Sequence, residues 1–185
     1  MLITAKMNRK FGACYSDAVL KKLYGNGKTP EQVATLTDGL WAEVSTADRC
    51  WILWRVIATK NKAGMRECLA RMVERVLRPD CDRRSRAVVQ AIRNDAVTDE
   101  IISAANASAA ANASAAEDAY AACAARAAAR AAYAAAVAAR ADTDAADAAS
   151  AACAAACAAY EACAAAADAG TEMEAQIADI LQFLF

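Results

Sequence analysis

Ala119-Tyr120-Ala121-Ala122-Cys123-Ala124-Ala125-Arg126-Ala127-Ala128-Ala129-Arg130 is a sample of a tract, from about Thr98 to Gly170, in which alanine fills more than half of the positions. This tract reads as helix. Alanine loses no side-chain rotamer entropy on becoming helical, and scattered Ser, Asn and Asp at about 0.5 kcal/mol each do not offset so long a run. A single helix of roughly seventy residues would project about 105 Å, far beyond the width of a small domain. Asp142-Thr143-Asp144 is where cap-type residues gather, so the tract is expected to fold back there as an antiparallel hairpin. Arg126, Arg130, Tyr133, Val137 and Arg140 then form a stripe on the first arm, and Cys153, Cys157, Tyr160 and Ala164 one on the second. Stripes at steps of three and four are expected to be packing seams.

On the C-terminal side, Gly170 is read as a stop and Thr171-Glu172-Met173-Glu174 as a capping box. The box opens an amphipathic helix expected to dock through Ile177, Ile180, Leu181 and Leu184.

On the N-terminal side the large apolar residues concentrate before position 100. Residues 2–12 read as a short helix with Leu2, Ile3 and Phe11 as core candidates. Ser16 or Asp17 caps the next, which ends at Gly25-Asn26-Gly27. Thr29-Pro30-Glu31-Gln32 is a capping box with proline at the first helical position. After a break over Thr35 to Gly39, Leu40 to Val44 reads as a short helical segment. The run Cys50 to Ile57 is too continuous to be amphipathic, and with no partner strand in view it reads as a buried helix.

Lys60 to Gly64 reads as a turn. Beyond it, Met65, Leu69, Met72, Val73, Val76 and Leu77 line one helical face and Arg66, Glu67, Arg71, Glu74 and Arg75 the other, until Pro79. Asp82 can cap a further helix with Val88, Val89 and Ile92 pointing inward and Arg83, Arg84, Arg86 and Arg93 outward. Thr98 caps the start of the tract.

The fold expected is all-α: a helical core over 1–96, an alanine-rich hairpin over 97–170 and a docking helix over 171–185, together one cooperative domain. Residues 1–96 carry 18 Lys/Arg against 10 Asp/Glu, and residues 97–185 carry 3 against 12. Either the halves complement one another, or the basic half meets an acidic partner protein or nucleic acid.

Chemistry is sparse in these residues. There is no histidine, no glycine-rich phosphate loop and no CxxC pair among the eight cysteines, so no metal site or cofactor is expected and an enzyme is not. The start of the chain does not read as a signal peptide, and Arg126, Arg130, Arg140, Asp147 and Glu161 interrupt the tract as a membrane span. A soluble protein of the reducing cytoplasm is expected, with Cys153, Cys157 and Cys163 filling helix contacts in the tract.

Several patterns occur in a familiar order: Gly12-Ala13-Cys14, a segment with Trp41, Asp48-Arg49-Cys50-Trp51-Ile52-Leu53-Trp54, Cys68-Leu69-Ala70-Arg71, and Asp82-Arg83-Arg84-Ser85-Arg86 through Ile92-Arg93, followed by the alanine tract. In this the chain resembles the Imm-five-like immunity proteins, small intracellular proteins associated with bacterial toxin loci and frequent in phage genomes. The resemblance implies a helical inhibitor without catalytic residues, with Trp51 and Trp54 as core anchors, Gly12 for a close turn and Trp41 as a further structural residue. The partner expected is a toxin or a host defence factor, met through Arg83, Arg84, Arg86 and Arg93. Alternatives are nucleic-acid binding through that arginine face, and self-association through the alanine helices.

Overall fold

The computed structural model describes residues 1–76, 83–104 and 169–185, with the single positions Ala107, Ala135 and Ala154. Among the described residues the structure is all-α, with no strand beyond one isolated bridge.

That bridge shortens the first helix. Ile3 exchanges two backbone hydrogen bonds with Lys28, at 2.7 and 2.9 Å, so α1 is Ala5–Lys10 instead of 2–12. Thr4 caps it, its hydroxyl accepting from Met7 N. In extended backbone, neighbouring side chains point to opposite sides. Ile3 is therefore wholly buried while Leu2, expected in the core, is exposed.

The next elements follow their caps. Ser16 accepts from Val19 N at the start of α2, Asp17–Tyr24, which ends at Gly25 with φ +49°. Thr29 and Gln32 form the expected capping box of α3, Pro30–Thr35. A 3-10 turn, Gly39–Glu43, carries Trp41 inward, and Ser45 caps α4, Thr46–Lys60. The apolar run is thus a helix, with Cys50, Ile52, Leu53, Trp54, Val56 and Ile57 buried. Between positions 48 and 58 only Asp48, Trp51 and Arg55, at steps of three and four, are less buried.

The turn expected over Lys60 to Gly64 contracts to Asn61. α5, Lys62–Val76, begins at the next residue, because Asn61 Oδ1 accepts from Gly64 N and serves as a cap. Gly64 lies inside the helix for want of space: a Cβ there would stand 2.7 Å from Phe183 Cβ. Met65, Cys68, Leu69, Met72 and Val73 are buried on the face expected, against Val88, Val89 and Ile92 of α6, Arg83–Arg93.

The last helix, α7, is Ala169–Leu184, so Gly170 does not stop the chain and Thr171 is not its cap. It packs on α4, α5 and α3. Ile180 is wholly buried and Ile177, Leu181 and Leu184 lean on the same core, the docking surface expected. Ala135 of the tract is helical, wholly buried and part of this core. Thr98 caps the helical residues 99–104, its Oγ1 accepting from Ile101 N. The hairpin, its break at Asp142 to Asp144, its two stripes, Pro79 and Asp82 lie outside the described residues.

Candidate binding cavity and the arginine helix

The α1–α2 connection, α2, the 3-10 turn and the less buried stripe of α4 surround an open cavity of about 670 Å³. Gly12, Ala13, Cys14, Trp41, Asp48, Arg49 and Trp51 all line it. Residues separated by up to 39 positions, and singled out in the sequence as three separate patterns, thus form one site.

Each wall has a local cause. At the end of α1, Ala13 N donates to Asn8 O and Gly12 N to Arg9 O, the paired bonds of a Schellman ending. This ending requires a left-handed residue, and Gly12 has φ +83°. Nothing stands within 4 Å of a Cβ built there, so backbone geometry rather than crowding selects glycine at this turn. Trp41 donates from Nε1 to Leu23 O at 3.1 Å and meets Tyr24 edge to face, with centroids 5.3 Å apart. Tyr15 donates to Asp48 Oδ2 at 3.0 Å. Burial raises the Tyr15 phenol, as does that hydrogen bond, and burial pushes Tyr24 up to about 12 against the opposing hydrogen bond of Asn8. Both phenols therefore stay neutral at ordinary pH.

Arg49 was read only as part of a pattern, and its role is specific. The residue is 7% exposed. Its Nη1 donates to the carbonyls of Val33, Ala34 and Leu36 at the end of α3, its Nε to Val44 O and its Nη2 to Trp41 O. A guanidinium here satisfies carbonyls that a helix end leaves open, and its positive charge suits the negative end of the dipole. It also stands 5.6 Å from the Trp41 ring centroid.

Trp51 differs from its expected role as a core anchor. It is half-buried on the cavity wall, with the Arg55 guanidinium 5.3 Å from its ring centroid. Trp54, three residues on, is the anchor: it is 1% exposed and donates from Nε1 to Gln176 Oε1.

The arginine face of α6 is not a uniform cationic patch. Arg93 turns back onto α5, donating to Glu67 at 3.0 Å and to Glu74 at 2.6 and 2.7 Å. These bonds, Glu74 first, hold its pKa above the ordinary guanidinium value. Arg86 is exposed, and the side chains of Arg83 and Arg84 lie outside the described residues. The acids that meet Arg93 come from the basic half itself.

Contact between the halves is made elsewhere, by two arginines read as an outer face. Arg75 grips Glu172 with Nε and Nη2 at 2.8 and 3.1 Å and reaches Asp179 with Nη1. Arg71 bridges Asp179, Gln182 and Glu67. Glu172 and Gln176 are buried, and Gln176 joins them to Trp54 and Cys50. Their spacing of four, in register with Ile180, is the signal in the sequence that places them on the docking face.

Among the described residues no three Cys, Asp or Glu gather as metal ligands would, and no helix is long and apolar enough to cross a membrane. The chain is an all-α protein with an aromatic cavity beside α1, α2 and α4 and an ion-paired seam between α5 and α7. Comparisons with protein-family models, curated proteins and solved structures find no match to it.

Proposed function

We propose that this chain is a non-catalytic binding protein that neutralises a partner protein, as an immunity protein neutralises a toxin or a phage inhibitor a host defence factor. Its recognition site is the cavity between α1, α2 and α4. One observation carries this reading: Gly12 to Cys14, Trp41, and Asp48, Arg49 and Trp51, which belong to three of the patterns on which the resemblance to immunity proteins rests, meet around one open cavity. A half-buried Trp and Tyr in a concave site are the side chains that dominate protein recognition. Arg93, by contrast, is withdrawn from any partner surface by Glu67 and Glu74.

The test is affinity capture from a lysate of the source cell with three baits. Trp51→Ala is expected to lose the partner that the unaltered chain captures, and the charge reversal of Arg83, Arg84 and Arg86 to Glu to retain it. The opposite pattern overturns this site. DNA binding whose affinity falls steeply with salt and vanishes in the charge-reversed chain would establish the nucleic-acid alternative instead.

A further inference from the structure

We infer that the outer face of the α1–α2 hairpin is a docking surface for an anionic lipid layer, with lysines on the headgroups and Met1 and Leu2 as a shallow apolar wedge. This activity goes beyond recognition of a partner protein and does not depend on it.

The hairpin is pinned at both ends. Arg9 Nε donates to Asp17 Oδ1 at 2.6 Å where the chain turns, and Ile3 pairs with Lys28 at the open end, so α1 and α2 run antiparallel side by side. Asn8, Leu20, Leu23 and Tyr24 are the buried positions. Lys6 and Lys10 are left on the outside of α1 and Lys21 and Lys22 on the outside of α2, all four exposed. Five of the seven lysines of the chain stand in its first 28 residues. The one acid of the two helices, Asp17, is held by Arg9, and the next along the chain is Glu31 at the start of α3. Among the described residues none of these four lysines meets a carboxylate at ion-pair distance. Like charges gathered in this way repel one another, and an anionic surface laid against them relieves the repulsion.

The apolar part sits at the open end. Leu2 lies over Gly27, where a Cβ would stand 3.0 Å from Leu2 Cβ, and Lys21 and Lys22 occupy the last turn of α2 just before it. Met1 and Leu2 are 46% and 51% exposed, two of the four large apolar side chains exposed among the described residues.

The pairing of lysine with exposed Met and Leu selects the class of anion. Protein interfaces are depleted in lysine and enriched in arginine, and the arginine of this face is spent on Asp17. Nucleic-acid surfaces place arginine forks or aromatic rings among their lysines, and no aromatic side chain of the hairpin is exposed. Phosphates alone would also leave Met1 and Leu2 without a role. An anionic lipid layer uses both: the headgroups attract each lysine, and the boundary beneath them takes up an apolar side chain. Among the described residues no helix can cross a membrane, so the contact is with its surface.

Cosedimentation of the purified full chain with vesicles of phosphatidylcholine, alone or mixed with phosphatidylglycerol, tests this. Binding is expected to the mixed vesicles only, and it should weaken as salt is added. Lys21→Gln together with Lys22→Gln should lower it about 25-fold, at about fivefold per lysine. Lys60→Gln together with Lys62→Gln removes the same charge from two other exposed lysines and should leave binding unchanged. Leu2→Ser should lower it about tenfold, the worth of part of a leucine side chain, while Leu2→Trp, a ring suited to the headgroup boundary, should tighten it. Circular dichroism melts that match the unaltered chain show that the variants keep the fold. No binding to the mixed vesicles, equal losses in the two lysine pairs, or indifference to both Leu2 variants overturns the proposal. Duplex DNA that is bound through Lys21 and Lys22 and that the mixed vesicles do not displace makes the face a nucleic-acid surface instead, which overturns it as well. No partner protein enters these measurements and Trp51→Ala should leave them unchanged, so failure of lipid docking and failure of partner capture are read separately.

Discussion

The seam under α7 and the cavity beside α1 are built from the same materials, arginines and a tryptophan of α4, and differ in what the arginines face. In the seam, Arg71 and Arg75 meet Asp179 and Glu172, and Trp54 ends on Gln176, so each of these charges is closed by another. In the cavity, Arg49 meets backbone carbonyls, and the carboxylate nearby is held by hydroxyls. Paired charges fix a helix in place, whereas carbonyls and hydroxyls fix the walls of the cavity.

The sharpest way to break this comparison uses the two tryptophans three residues apart. Trp54→Ala should cost about 3–5 kcal/mol of stability, as large core truncations do, since it empties a fully buried site and removes one of the donors to Gln176. Trp51→Ala should cost about 1–2 kcal/mol, having less area to lose, while removing partner binding. Urea denaturation of both variants measures this. Equal losses would mean that the cavity wall is core.

Glu172→Gln comes next. Its buried carboxylate holds Arg75 with two bonds, so neutralising it should cost about 2–3 kcal/mol, below the full price of a broken buried pair because Arg75 keeps Asp179. Asp48→Asn, in the exposed first turn of α4, should stay within about 0.5 kcal/mol, as surface changes do. If the two variants melt alike, the seam is not what holds α7.

Gly64→Ala sharpens the geometry of the same seam. Helix propensity favours alanine by about 1 kcal/mol, but the added methyl meets Phe183 Cβ and Asn61, and overpacking costs about 1–3 kcal/mol. A net loss of about 1 kcal/mol is expected, read as a lowered Tm. A rise in Tm would show that α7 can retreat from α5 freely.

How far the sequence foretells these differences depends on whether the signal is local. The caps at Ser16, Thr29 and Thr98, the buried run at 50 to 57 and the inward face of Val88, Val89 and Ile92 rest on neighbours within four residues, and all stand as read. What escaped is long-range. Ile3 leaves the helix for Lys28, Gly64 yields to Phe183, and Gly170 and Glu172 are absorbed into a helix that docks on α5. Periodicity reports which face a residue is on and not what covers that face, so Arg71, Arg75 and Arg93 read as an outer face without the acids on which each closes. The cavity was visible only as three unconnected patterns, since nothing local ties Gly12 to Trp51.

Acid provides the smallest effect and a last separation of the two regions. Burial alone would raise the Glu67 carboxyl, but hydrogen bonds and charge from Arg93 and Arg71 outweigh it and hold the group below its ordinary 4.5. A folded pKa below the unfolded one means that Glu67 adds stability above pH 4.5 and loses it as pH falls through the depressed value. Glu67→Gln should therefore be less stable than the unaltered chain at pH 7, by about 0.5–1 kcal/mol for a partly exposed pair. That gap should close as the pH drops below 4.5, because protonation then does to the unaltered chain what the substitution does permanently. Tyr24 has the opposite sign: with its phenol pushed up to about 12, its contribution is whole below pH 10 and fades as the pH rises toward 12. Urea midpoints of both chains from pH 3 to pH 7 measure the acid side. A gap constant across that range would mean that Arg71 and Arg93 do not hold Glu67 charged.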